Sequence, residues 1–240
     1  MGSPDRMPPE VFMGNLKIVS HSEEPFMNRE EAGRVIAGEL REYQDKDTVV
    51  LGIPRGGVVV AREIARILRA DLDVVLSRKL GAPGNPELAI GAISEDGTLF
   101  LDQDIHERLS PSNEFAGYVE DEREKQYTRI AESIERFRKV RPKIPLQGRT
   151  VIVTDDGLAT GATMQASLRT VRKENPEKLI AAVPVGSMDA LEKIASDADE
   201  AIALKAPPIF YAVGQFYEYF GQTSDEEVLA FLKESTEQKQ

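Results

Sequence analysis

At 240 residues the chain can bury a full core, and one α/β domain with additions suits it better than two independent domains. Its formal net charge of -11, with Lys and Arg interleaved among Asp and Glu, excludes a nucleic-acid polymer as the expected partner, because neutralising a phosphate backbone needs clustered cations. Cysteine is absent, which excludes disulfides, thiolate metal sites and a thiol nucleophile.

The opening MGSPDRM is set aside from the fold argument, and residues 1–25 are read as an N-terminal extension lacking the apolar core of a signal peptide. No run approaches the roughly 18 to 20 apolar residues of a membrane span, so a cytoplasmic protein without membrane contact is expected. NREEAGRVIAGELREYQ (28–44) has helical periodicity and TVVLGI (48–53) reads as a buried strand. GGVVVAREIARILRA (56–70) is again helical, and LDVVLS (72–77) is the next strand. Residues 80–100 hold four Gly and two Pro and read as a loop, with a hairpin around Glu95-Asp96-Gly97. Within a mainly helical insertion (102–145), residues 112–141 form a long charged helix with Phe115, Tyr118, Val119, Ile130, Ile134 and Phe137 on one stripe. That helix is either solvated and docked by its stripe or a cap on the active site.

Strands TVIVTD (150–155), KLIAAVPV (178–185) and EAIALK (200–205) alternate with helices at 160–174 and 187–196, and residues 206–222 form a small hood. Short, mostly apolar strands separated by helices predict an α/β fold: a parallel twisted sheet with helices on both faces, in a single domain over 26–235. Sites in such sheets lie at the carboxyl ends of the strands.

VIVTDDGLATGAT (151–163) delivers Asp155 and Asp156 to such a strand end. Adjacent carboxylates there can accept from the two neighbouring hydroxyls of a ribose or lie near a divalent cation. Thr160 and Thr163 supply hydroxyls, Gly161 and Ala162 permit close backbone approach, and a helix N-terminus offers free N–H groups to a phosphate. The bland alternative is an acidic turn with a Thr cap. LGIPRGGVVVA (51–61) sets Arg55, Gly56 and Gly57 at another strand-to-helix junction, suited to a diphosphate. Arg78 and Lys79 follow the second core strand, and Glu87 is either a loop acid or base or a solvated carboxylate. His21 and His106 read as surface residues without metal-site spacing.

The acidic-pair stretch resembles the phosphoribosyl-diphosphate (PRPP) signature of the type I phosphoribosyltransferases. The resemblance covers roughly residues 26–235, and the chain as a whole is similar to bacterial and archaeal proteins described only as predicted phosphoribosyltransferases. It implies that Asp155 and Asp156 hold the ribose hydroxyls and that Ala159, Thr160, Gly161, Ala162 and Thr163 cradle the 5-phosphate. It implies a pyrophosphate loop at Arg55, Gly56 and Gly57, often with a non-proline cis peptide, here Arg55-Gly56 or the bond before it. Arg78 and Lys79 would neutralise the diphosphate, with the 80–95 loop closing over the site; Arg55, Lys79 and Glu87 are the implied catalytic residues. IFYAVGQFYEYF (209–220) resembles the base-binding segment of hypoxanthine-guanine enzymes, implying Val185 and Tyr211 on the base side and Glu218 beside Asp155 and Asp156 around Mg2+. Two positions depart from that family: Ala159 stands where a carboxylate faces the purine, and Pro184 near the lysine that reads its oxygen. The resemblance thus implies transfer of a phosphoribosyl group from PRPP to a nitrogenous acceptor, with a homodimer compatible. The alternatives are a non-catalytic module sensing PRPP or a nucleotide, and a flavodoxin-like phosphate-binding domain, which leaves the acidic pair unexplained.

Overall fold

The computed structural model describes residues 11–101 and 113–237. Among the described residues ten strands are formed: β1 (Val11–Met13), β2 (Leu16–Ser20), β3 (Thr48–Gly52), β4 (Asp71–Val74), β5 (Ser77–Ala82), β6 (Asn85–Ser94), β7 (Leu99–Leu101), β8 (Thr150–Thr154), β9 (Lys178–Val185) and β10 (Glu200–Lys205). The α-helices are α1 (Arg29–Glu39), α2 (Gly56–Leu68), α3 (Asn113–Val140), α4 (Ala162–Arg172), α5 (Met188–Asp197) and α6 (Asp225–Glu237).

Seven strands make the main sheet in the order β1-β2-β10-β9-β8-β3-β4, parallel throughout except for β1. Successive residues of its central strands feed opposite cores, as the pleat requires. Val50, Ile152, Ile180 and Ile202 join α1 and α2 through Ile36, Leu40, Val58 and Ile64. Val49, Leu51, Val151, Val153 and Leu179 join α4 and α5 through Met164, Leu168, Leu191 and Ile194. Burial on both faces explains the near-continuous apolar runs and bears out the expected α/β class. Among the described residues no helix is long and apolar enough to cross a membrane.

Three segments differ from expectation. The stretch set apart as an N-terminal extension supplies β1 and β2, and β2 pairs with β10 in parallel from Leu16 to Ser20. Residues 80–95 are not a plain loop: β5, β6 and β7 form a three-stranded antiparallel sheet. Its glycines and prolines sit at a turn, where Gly84 has φ +72°, and at register shifts between Leu80 and Ala82, so they punctuate the strands rather than abolish them. The expected strand over 72–77 ends at Val74, and Arg78 and Lys79 lie on β5.

The long helix α3 docks as its periodicity predicts. Val119, Ile130 and Phe137 are buried in the core, with Phe115, Tyr118 and Ile134 packed against it. Tyr118 donates to the Gly81 carbonyl at 2.8 Å, and Arg138 bridges Asp73 at 2.6 Å and Glu95 at 3.0 Å. Burial pushes the Asp73 carboxyl up, and the Arg138 charge counters it. His106 lies outside the described residues, whereas His21 is exposed with Nδ1 2.7 Å from the Ala206 carbonyl.

Candidate functional site

β8 and β3 are adjacent and parallel, so the chain leaves both at the same edge of the sheet. Asp155 and Asp156 follow β8, and the Pro54-Arg55 peptide that follows β3 is cis, the second of the two bonds singled out by sequence. Gly56 and Gly57 open α2 directly against the acidic pair. A β-carbon at Gly57 would lie 2.8 Å from Asp155 Cα and 2.9 Å from the Thr154 carbonyl oxygen, both backbone atoms that cannot step aside. One at Gly56 would lie 2.0 Å from Asp156 Oδ2. The two glycines are therefore required by close approach to the aspartates, whatever else they bind.

The two carboxylates are not equivalent. Arg29, in the first turn of α1, donates through Nε to Asp156 Oδ2 at 2.7 Å and through a terminal nitrogen to the Gly221 carbonyl at 2.7 Å. Its guanidinium lies 3.9 Å above the Phe220 ring centroid, and Phe220 in turn stacks on Tyr217. The Tyr217 hydroxyl donates to the Asp156 carbonyl at 2.6 Å, and burial together with the Asp156 charge raises its phenol well above the usual range. Asp155 Oδ1 accepts from the Asp156 N–H at 2.8 Å. Burial, and then the Asp156 charge, push the Asp155 carboxyl well above the ordinary carboxylate range, with that N–H and Arg29 acting against the shift. A carboxylate held in this way favours a partner that brings hydroxyl donors or positive charge.

The loop after the pair is fastened to the end of β9 and the start of α5. Leu158 N–H donates to Val185 O at 2.9 Å, Ser187 N–H to Leu158 O at 3.0 Å, and Ser187 Oγ to Ala159 O at 2.8 Å. Ala159 and Thr160 are exposed, and Gly161 holds φ +76°, a left-handed conformation that favours glycine. Gly161 is the N-cap of α4, and no side chain caps that helix; Arg55, the N-cap of α2, supplies none either. Both helices thus present first-turn N–H groups at the edge that carries the aspartates. Thr163 lines a cavity of about 400 Å3 together with Pro54, Ser77, Arg78 and Lys79. Arg55, which is exposed, lines a neighbouring cavity with Arg78.

Other expected residues fall elsewhere. Val185 is fully buried within the core, so its side chain is enclosed rather than presented to a ligand. Tyr211 is 85% exposed, on a segment held to residues 26–27 by Phe26 N–H to Phe216 O, Glu218 N–H to Phe26 O and Tyr219 N–H to Met27 O, at 2.8 to 2.9 Å. Glu218 is exposed, and among the described residues no three carboxylate or imidazole groups converge as a metal-holding cluster, so Glu218 does not join the aspartates in one. Mg2+ nevertheless fits Asp155, because that ion commonly takes one or two protein carboxylates and completes its shell with substrate oxygens and water. Glu87 falls on β6, with its side chain outside the described part. Arg29 and Tyr217 were not singled out by sequence: Arg29 lies 127 residues from its partner, and only an aromatic run advertises Tyr217.

The model of the phosphoribosyl transferase domain matches residues 26–220. A Mycobacterium tuberculosis protein carrying the name of a phosphoribosyl transferase, present in strains CDC 1551 and H37Rv, is 45% identical over 207 residues. The match takes in 86% of this chain and 46% of that protein, so the chain spans about half the length of the curated relatives it matches. Among solved structures, TT1426 from Thermus thermophilus is 45% identical with a TM-score of 0.79, covering 88% of this chain and 98% of that one. The domain model matches most of the chain and a relative of this identity covers most of it as well: the chain belongs to the phosphoribosyl transferases.

Proposed function

We propose that this protein transfers the 5-phosphoribosyl group from PRPP to a nitrogenous acceptor, a nucleobase in class, with release of pyrophosphate. The observation that carries this reading is the placement of Asp155 and Asp156 between two helix N-termini that no side chain caps. Asp155 and Asp156 accept from the ribose 2- and 3-hydroxyls. The loop from Ala159 to Thr163 takes the 5-phosphate on backbone N–H groups and threonine hydroxyls. Arg55, Gly56 and Gly57 meet the diphosphate, with Arg78 and Lys79 beside it.

Breaking the bond from C1 to the diphosphate oxygen leaves positive charge on the sugar and negative charge on the leaving group. The largest contribution expected from the protein is therefore fixed positive charge and N–H dipoles around the diphosphate, rather than a strong base. Bound Mg2+, held at Asp155 and by the substrate oxygens, would supply further neutralisation of the diphosphate. Arg29 orients Asp156 through its Oδ2 at 2.7 Å, so that the other oxygen faces the sugar. Tyr211 is the candidate for stacking on the acceptor, and Glu87 keeps its sequence-based candidacy as an acid or base.

The test is pyrophosphate release from PRPP and Mg2+ with pooled nucleobases and a control without base, for the parent protein and Asp156→Asn. Base-dependent release that falls at least about a hundredfold in the variant is expected, since a charge-assisted contact made in the transition state is lost. Mg2+-dependent PRPP binding without release would replace the transferase by a sensing module.

A further inference from the structure

Beside the acidic edge lies a cavity of about 640 Å3 whose charged lining comes from Arg55, Arg78, Arg129, Glu132, Arg136 and Asp225. Four arginines face two carboxylates in a chain whose net charge is -11. Two of the four converge on one acid: Arg136 lies 2.5 Å and Arg55 3.9 Å from Asp225. Arg78, on β5, and Arg129, on α3, have no carboxylate within ion-pair distance among the described residues. Burial and the positive charge of Arg129 both act against the charge on Arg78, and Glu132 offsets them only in part. Two like charges on one wall oppose each other until an anion lies between them.

The cavity adjoins the one that contains Thr163, since Pro54, Arg78, Arg129 and Ser133 line both. A ligand with one phosphate at the loop around Thr163 would therefore lead toward the arginine pair past Pro54. Two planar guanidinium groups suit the adjacent oxygens of a diphosphate.

We propose that Arg129, carried in by the insertion helix α3, forms with Arg78 a diphosphate-binding subsite, so that the helix is a wall of the donor site and not only a packed appendage. This rests on the transferase reading above and assigns its diphosphate a residue that reading lacks. Arg129 binds the leaving diphosphate but does not touch the ribose, and its partnership with Arg78 makes the unliganded pair repulsive.

The experiment is calorimetric titration of inorganic pyrophosphate with Mg2+, and separately of ribose 5-phosphate, into the parent, Arg129→Gln and Arg123→Gln. Arg123 lies on the same helix and is already paired with Glu120 at 2.5 Å, so it controls for the general charge of the helix. Pyrophosphate affinity should fall about tenfold in Arg129→Gln alone, with ribose 5-phosphate unchanged, the scale of one charged hydrogen-bonded contact. The thermal midpoint of unliganded Arg129→Gln should be no lower than that of the parent, a result a purely structural arginine would not give. Pyrophosphate binding equal to the parent's would overturn the subsite while leaving the transferase reading standing. Loss of both ligands together with a lowered midpoint would also overturn it, in favour of a structural role. A parent that binds neither ligand would remove the transferase reading and the subsite with it.

Discussion

Helices α1 and α5 begin differently from α2 and α4, and the difference marks the site. Asn28 accepts from Glu31 N–H at the start of α1, and Ser187 accepts from Ala190 N–H at the start of α5. Ser224 does the same for Glu227 N–H, at 3.1 Å, at the start of α6. By contrast α2 starts at Arg55 and α4 at Gly161, with no side-chain cap on either. A missing cap typically costs a helix about 1 kcal/mol, so two uncapped starts after adjacent central strands are conspicuous. Helices α1, α5 and α6 each meet a first-turn donor with a side chain of their own, whereas α2 and α4 leave theirs uncapped, as the proposed phosphate-bearing donor would require.

The largest break in that contrast should come at Arg29, the residue that ties a capped helix to the uncapped edge. Its side chain is 12% exposed and that of Asp156 15%, so removing the charge strands a carboxylate beside another carboxylate that already resists ionising. Arg29→Gln is expected to cost about 3 kcal/mol, the lower end for breaking a buried pair. Urea denaturation of the parent and variant at neutral pH measures this, and a loss below about 1 kcal/mol would mean that Asp156 finds another partner.

What the sequence could disclose follows the same division. The strands β3, β8, β9 and β10 were legible because burial on both faces leaves an unbroken apolar run, and the acidic pair was legible because it interrupts one. The antiparallel sheet β5-β6-β7 was not read in full, because Gly81, Gly84 and Gly91 imitate a loop when their turn and register shifts are not visible. The strand β2, LKIVS, next to the edge strand β1, buries only Leu16 and Ile18 and is too short to stand out beside a discarded terminus. Arg29 and Arg129 were illegible for a different reason. Each is an arginine on a charged helical face, where the pattern predicts solvent, and only tertiary placement brings it to the carboxylates or to Arg78.

A smaller change of opposite sign should follow at Asp155. Because its folded-state carboxyl is raised by burial and by Asp156, its contribution to stability is complete below the ordinary carboxylate value of 3.8 and is lost as pH rises through the raised value. Asp155→Asn removes the charge, keeps an oxygen for the Asp156 N–H, and so should stabilise the unliganded protein at neutral pH by about 1.5 kcal/mol, within the range for relieving a functional site. The same variant should lose PRPP affinity. Thermal midpoints taken across pH 4 to 8 test the sign, because the stability gain must shrink toward acid. A gain that stays constant with pH would mean that packing, not charge, separates the two side chains.

The smallest effect sharpens the comparison from its ordinary side. Asn28→Ala removes the α1 cap at a position whose side chain touches neither aspartate, and it should cost about 1 kcal/mol. If α2 and α4 are left uncapped for a ligand, PRPP with Mg2+ should stabilise Asn28→Ala by as many degrees as it stabilises the parent, since the ligand acts at starts that this variant leaves alone. The cap and the ligand should therefore add as independent terms in thermal shift. A reduced ligand shift in Asn28→Ala would show that the first turn of α1 is coupled to the site through Arg29, and that the capped and uncapped ends form one unit.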